Sequence, residues 1–282
     1  MKESSTNSTT DSYELITRIC VSSISFLFGL PTHSYVLWLI ITEASGVASV
    51  FLKLNFSLCE IGVCLKSLFI LLSIQFSCFK TLSLILQGLF ITGRPLFQCL
   101  ICVERYLAVV HPVTFLKYKP LRYRVICSTT VWIITCGSCL FCWLILKSLI
   151  TRLYTWFFSL QFLLFLSIQL FCLVAVLRAL KQSGPGERGR TKEEKNSIKR
   201  KAFQLILIST VSLAVIYVPF IMSGFTAIFT QQHFPALWAT SVFCYILGGF
   251  IQPVLFLNHV GKLTLFSTKP VKEIHCNVNN VK

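Results

Sequence analysis

The sequence predicts an all-α membrane protein, a bundle of seven transmembrane helices, and three observations carry that expectation. Only 13% of the 282 residues are charged while 55% are hydrophobic, against roughly a quarter charged in soluble domains. The mean hydropathy of +0.74 is concentrated in runs of about 20 or more residues, the length at which a helix crosses a hydrocarbon core. Lysine and arginine gather on alternate connections between those runs, as cytoplasmic loops require. A β-barrel is a poor alternative, because the runs are too long and lack period-two alternation.

In chain order the spans are expected at 19–42, 48–74, 79–109, 125–147, 153–180, 198–230 and 235–258. Spans two and three are parted only by a short link near Ser73–Lys80. Residues 1–18 form a polar, slightly acidic tail without a basic stretch, so no cleavable leader is expected and the first apolar span acts as its own targeting signal. Gln182–Asn196 is rich in Gly and charge and reads as a flexible, basic linker between spans five and six.

Orientation follows from the cations. With the N-terminus outside, the inner connections hold Lys53, then Lys117, Lys119, Arg122 and Arg124, then nine residues between Arg178 and Lys201, and finally Lys262, Lys269, Lys272 and Lys282. The outer side holds only Lys2, Arg18, Lys80, Lys147 and Arg152. This asymmetry predicts an N-terminus outside and a cytoplasmic C-terminus. Asn7-Ser8-Thr9 is a glycosylation sequon in the tail placed outside.

Several function classes drop out. The net charge of +16 follows the span boundaries, so the expected partner of the cations is the lipid bilayer and its topology, with no nucleic acid. Most of the 13 cysteines lie inside apolar runs, where they act as small hydrophobes, and no metal is expected. No HExxH, GxSxG or phosphate-binding loop is present, so the chain reads as no enzyme, with no catalytic residue and no cofactor. Glu60, Lys66 and Arg94 are ionisable residues deep in apolar spans, each costly alone in lipid. Lys66 is read either as a contact for an anionic ligand or as a snorkelling cation.

Glu104-Arg105-Tyr106 closes span three. Alone, Arg105 reads more readily as a cation snorkelling at the membrane edge than as a functional residue. Its context is more specific: ERYLAVVHP from Glu104, LKYKPLRYR from Leu116, then Trp132. Together with Asn55 and Glu60 in LNFSLCE, Pro219 in IYVPF, Pro253 in QPVLF and NHVGKLTLF after span seven, this resembles the rhodopsin-like (class A) G-protein-coupled receptors. The resemblance covers about residues 20–268 and implies a short amphipathic eighth helix and a cytoplasmic tail within 259–282.

It also implies a function: an extracellular ligand, unidentified by the sequence, biases the bundle between two states, and a heterotrimeric G protein engages Arg105 at the opened inner end. Glu104 would hold Arg105 in the resting state. Pro219 and Pro253 would serve as hinges, and Tyr217, where the family has its helix-six tryptophan, becomes a ligand-binding candidate beside Lys66. The helix-two acid of the family helps to bind sodium. Arg94 lies eleven residues before Arg105, about 16 Å along a helix, which is the level of Glu60 in the family's packing. The expectation is that Arg94 pairs with Glu60 and takes sodium's place.

The chain departs from the family elsewhere. His33 stands for the helix-one asparagine, and Gln252 to Phe256 stand where NPxxY is expected, so its tyrosine is Phe256. Lys199 replaces an acid that some members set against Arg105. Cys78 lies near the usual disulfide position, but the second outer loop has no cysteine. These departures keep a second function open, a receptor-like protein with weak or no G-protein signalling: a scavenger, a dimer partner or a decaying duplicate. A transporter or channel using Glu60, Arg94 and Lys66 as a polar path is a third, against which stands the lack of an internal repeat.

Overall fold

A computed structural model describes residues 2–43, 47–118, 121–181, 212, 214–232, 234–251, 253–254 and 257. Among these, every regular element is helical. Helix α1 (Lys2–Ile24) runs through a π-helical turn, Ser25–Gly29, into α2 (Leu30–Glu43). Helix α3 is Val47–Leu72, followed by a tight turn into α4 (Cys78–Ile85). A second π turn, Leu89–Gly93, leads into α5 (Arg94–Val110). The remaining helices are α6 (Pro112–Tyr118), α7 (Leu121–Lys147), α8 (Thr151–Lys181), α9 (Ala214–Thr230) and α10 (Pro235–Gly249).

Five helical stretches are long and apolar enough to cross a membrane: Ser12–Thr42, Phe51–Leu72, Cys78–Val110, Leu121–Lys147 and Thr151–Ala179. The apolar helices α9 and α10 are shorter within the described residues and fall inside the expected sixth and seventh spans. The linker 182–196, Lys199, Gln252, Phe256 and the segment from Asn258 onward, with the expected eighth helix and tail, lie outside the described residues. The turn after Leu72 separates spans two and three within the expected link. Helix α1 starts well before residue 19, because a helix once nucleated gains a hydrogen bond for each residue added, even a polar one.

Both π turns have the same local cause. Each is followed by Gly-x-Pro: Gly29-Leu30-Pro31 and Gly93-Arg94-Pro95. Proline lacks an N–H and crowds the carbonyl four residues back, so the preceding turn widens rather than continuing with regular i to i+4 bonds.

The pattern of burial is the reverse of a soluble bundle. On α7 the inward residues are Ser128, Val131, Thr135, Ser138, Cys142 and Ile145, while Ile133, Ile134, Leu140 and Leu144 face outward and exposed. Small and hydroxyl side chains let membrane helices approach closely, and lipid takes the apolar faces. Gly88 lies against the backbone of α7: a Cβ there would come within 2.4 Å of the Cys139 nitrogen. Beside this contact the Thr92 and Ser138 hydroxyls meet at 2.5 Å, and Thr92 Oγ1 donates to Gln161 Oε1 at 2.9 Å. Trp132 Nε1 donates to Asn55 Oδ1 at 2.9 Å, tying α7 to α3. The centre is a nest of aromatic rings, Phe90, Phe158, Phe162, Tyr217, Phe220 and Tyr245, in tilted and edge-to-face contacts.

Candidate functional site: a cavity above a buried ion pair

Three polar places lie along the bundle. The deepest is the pair that α3 and α5 bring together. Arg94 Nε lies 2.7 Å from Glu60 Oε1, with both side chains 4% exposed or less. The contact is ionic, since Glu60 Oε1 has no hydrogen-bond partner among the described residues. His33 from α2 stands 3.7 Å from the other carboxylate oxygen. The guanidinium also lies over the Tyr245 ring, 4.3 Å from its centroid. Gly249 leaves the necessary room: a Cβ there would fall 2.4 Å from Arg94 Nη2 and 3.4 Å from Glu60 Oε2. Removing one partner of such a pair typically costs about 3–5 kcal/mol, because the other charge is left buried alone.

Above the pair, toward the N-terminal end of α1, a cavity of about 380 Å³ opens between α1, α3, α8, α9 and α10. That volume lies within the range of about 300–1,000 Å³ common for small-molecule sites. Lys66 lines it and is only 8% exposed, with Nζ 4.4 Å from the centroid of the Phe90 ring. A desolvated cation–π contact is worth about 2 kcal/mol, less than the several kcal/mol that burying an ammonium costs. Glu14 and Arg18 of α1 also line the cavity. Sequence reading assigned both to the tail, and the continuous helix α1 is what carries them into the wall. Gln87 Nε2 donates to the Tyr154 hydroxyl at 2.6 Å on the opposite side.

Phe90 links the two places. Its ring lies under Lys66, and its carbonyl accepts the hydroxyl proton of Tyr245. Changing from i+4 to i+5 pairing leaves a carbonyl without a helical partner, and here Tyr245 uses one in the π turn. Tyr245 in turn lies under Arg94.

The third place is the far end of α5. Glu104 pairs with Arg124 of α7, not with its neighbour Arg105 as the sequence led one to expect. Adjacent helical residues project about 100° apart, so Glu104 reaches the neighbouring helix while Arg105 points out and is exposed. The Tyr106 hydroxyl meets His111 Nε2 at 3.1 Å.

Other sequence-derived residues fall variously. Tyr217 does not line the cavity. It is fully buried, its hydroxyl donating to Gln98 Oε1 at 3.1 Å and accepting from Gln169 Nε2 at 3.4 Å. A phenol in an apolar core needs such partners, and this network holds the ring below the cavity. Pro219 sits half-buried within α9, and Pro253 is helical and buried. The backbone of Asn7 is in α1. Cys78 is exposed and unpaired. No group of three or more metal-ligating side chains occurs among the described residues. Sequence reasoning missed Tyr245, Gly249 and Phe90; the Gly-x-Pro pattern after Phe90 was the one local signal for that region.

The fold thus defines a multi-pass membrane protein of the helical-bundle class. Comparison with known proteins narrows the class. No protein-family model matches the chain. It is 31% identical over 186 residues to chemokine XC receptor 1 of Homo sapiens, covering 59% of this chain and 55% of that receptor. It is 28% identical over 207 residues to chemokine XC receptor 1 of Mus musculus, covering 64% of this chain and 60% of that receptor. The chain therefore spans between half and about three fifths of the length of the curated relatives it matches. Those relatives are rhodopsin-like G-protein-coupled receptors, the class that the Glu104-Arg105-Tyr106 region resembles.

Proposed function

We propose that the chain is a rhodopsin-like G-protein-coupled receptor of the plasma membrane, with its N-terminus outside and Asn7 glycosylated. Ligand enters the cavity beside Lys66, and Arg105 meets a heterotrimeric G protein at the opposite end. The observation that carries this reading is the separation of the two ends on one element. Phe90 at the cavity and Arg105 at the far end are fifteen residues, or about 22 Å, apart along a nearly continuous helical path, with the buried ion pair between them. A shift in the Phe90 turn therefore has a direct mechanical route to the exposed arginine. Pro219 acts as a hinge that lets the inner half of α9 swing outward, and Pro253 is the corresponding hinge of the seventh span. The similarity to chemokine XC receptor 1 supports the class, and a chemokine is one ligand to include in a screen.

The test is G-protein activation in cells, basal and ligand-screened, for wild type and Arg105→Ala at equal surface level. Altered signalling in Arg105→Ala is the expected result. Silence of the wild type across all G-protein classes, despite good surface display, would favour a receptor-like protein with weak or no signalling. One observation favours that second reading. Arg94 sets a tethered cation against Glu60, where the family's acid helps to bind a mobile sodium ion.

A further inference from the structure

We infer that the cavity binds an organic anion, its acidic head group against the Lys66 ammonium and its apolar body against Phe90, Phe158 and Trp238. The inference deepens the receptor reading, on which the ligand's role as an activator rests; the binding site stands on geometry alone.

Four features point to an anion. Lys66 is buried, and no carboxylate among the described residues lies within ion-pair distance of it. It lies against the face of Phe90, which offsets less than the desolvation of an ammonium. Among the described residues, the titratable groups on the wall are Glu14, Arg18, Lys66 and Tyr154, a net single positive charge that disfavours a cationic ligand. The Tyr154 oxygen already accepts from Gln87, so its own proton is available to donate into the cavity. The remaining wall is largely apolar and aromatic, with Phe90, Phe158 and Trp238 in mutual contact through Phe220. A filled core would have placed an acid beside Lys66, as it does beside Arg94; here the same bundle leaves space. An acidic head group completes the charge, and an aromatic or aliphatic body displaces water from the rings.

The head group can come from a soluble acid or from an anionic lipid, and the experiment separates them. The 282-residue protein is reconstituted in phosphatidylcholine nanodiscs. Binding of naphthylacetate, its neutral amide and naphthylethylammonium is measured by equilibrium dialysis. Naphthylacetate is expected to bind saturably and the ammonium probe not at all. Lys66→Gln should weaken naphthylacetate by at least about tenfold, the size of one lost charge-assisted contact, while Lys66→Arg retains it. Loss of naphthylacetate binding when phosphatidylglycerol is added to the disc identifies a lipid head group as the competing anion; no change identifies a soluble one. Equal binding of the three probes, undiminished binding to Lys66→Gln, or no saturable naphthylacetate binding overturns the inference. The three-probe comparison uses wild type alone, so a misfolded variant does not obscure it. No arm reads G-protein activation, so a silent receptor that binds naphthylacetate removes the receptor reading and leaves the anion site.

Discussion

Arg94 and Lys66 are both buried cations in the same helical bundle, and they have opposite surroundings. Arg94 has a carboxylate 2.7 Å away, an aromatic face at 4.3 Å and a glycine that makes room for it. Lys66 has an aromatic face at 4.4 Å and a cavity. The difference teaches how to read intramembrane charge. A cation whose counter-charge is built into the fold acts as structure, whereas one beside open space is a place for something to bind. Position in an apolar span, which both residues share, does not distinguish the two.

The largest effect is expected where the two cations are neutralised in turn. Arg94→Met strands Glu60 and should destabilise the protein by about 3–5 kcal/mol, read as a lower melting temperature in detergent and reduced surface level. Pairing it with Glu60→Leu should restore most of the loss, because both charges leave together. Lys66→Met should leave the melting temperature unchanged or raise it. A fall of similar size in both single variants would erase the distinction between them.

A smaller effect tests the room made for Arg94. Gly249→Ala places a methyl group where the guanidinium lies and should cost about 1–3 kcal/mol by overpacking. In the Arg94→Met, Glu60→Leu background the same substitution should cost much less. Additive losses would mean that Gly249 serves some other contact.

The smallest effect lies at the inner end. The Glu104–Arg124 pair is partly exposed, its side chains 24% and 10% accessible, so Arg124→Gln should change stability by only about 0.2–1 kcal/mol. Its consequence is expected in signalling. Without Arg124 the Glu104-Arg105 end of α5 is held less tightly against α7, and basal G-protein activation should rise relative to wild type at equal surface level. An unchanged basal level would separate the Glu104–Arg124 contact from coupling.

Much of the architecture was legible in the residues themselves. Long apolar runs must be helical in lipid because backbone groups find no other partners there, so the described helices fall in the expected order. The link after Leu72 was equally readable, since the hydropathy breaks there. Glu60 and Arg94 were singled out as costly in lipid, and the bundle brings them together. Tyr217 lies below the cavity rather than in its wall, because a residue's height on a helix does not tell which way it faces. Its network with Gln98 and Gln169 joins three helices that no local pattern relates. The contact of Glu104 with Arg124 was hidden for the same reason, since it joins two helices.

Residue order alone implies a helical chain that crosses a membrane several times and carries three ionisable residues where lipid makes them expensive. Hydropathy and span length act locally and additively, so they can be summed along a chain. Only the tertiary structure decided which of those charges is neutralised and which faces a cavity. That outcome depends on a glycine in α10, a proline-induced π turn before α5, and the second half of α1, which lines the cavity beside Lys66. Each is a contact between distant segments, and electrostatic cost is set by the atoms within a few ångströms rather than by the residue's place in the chain.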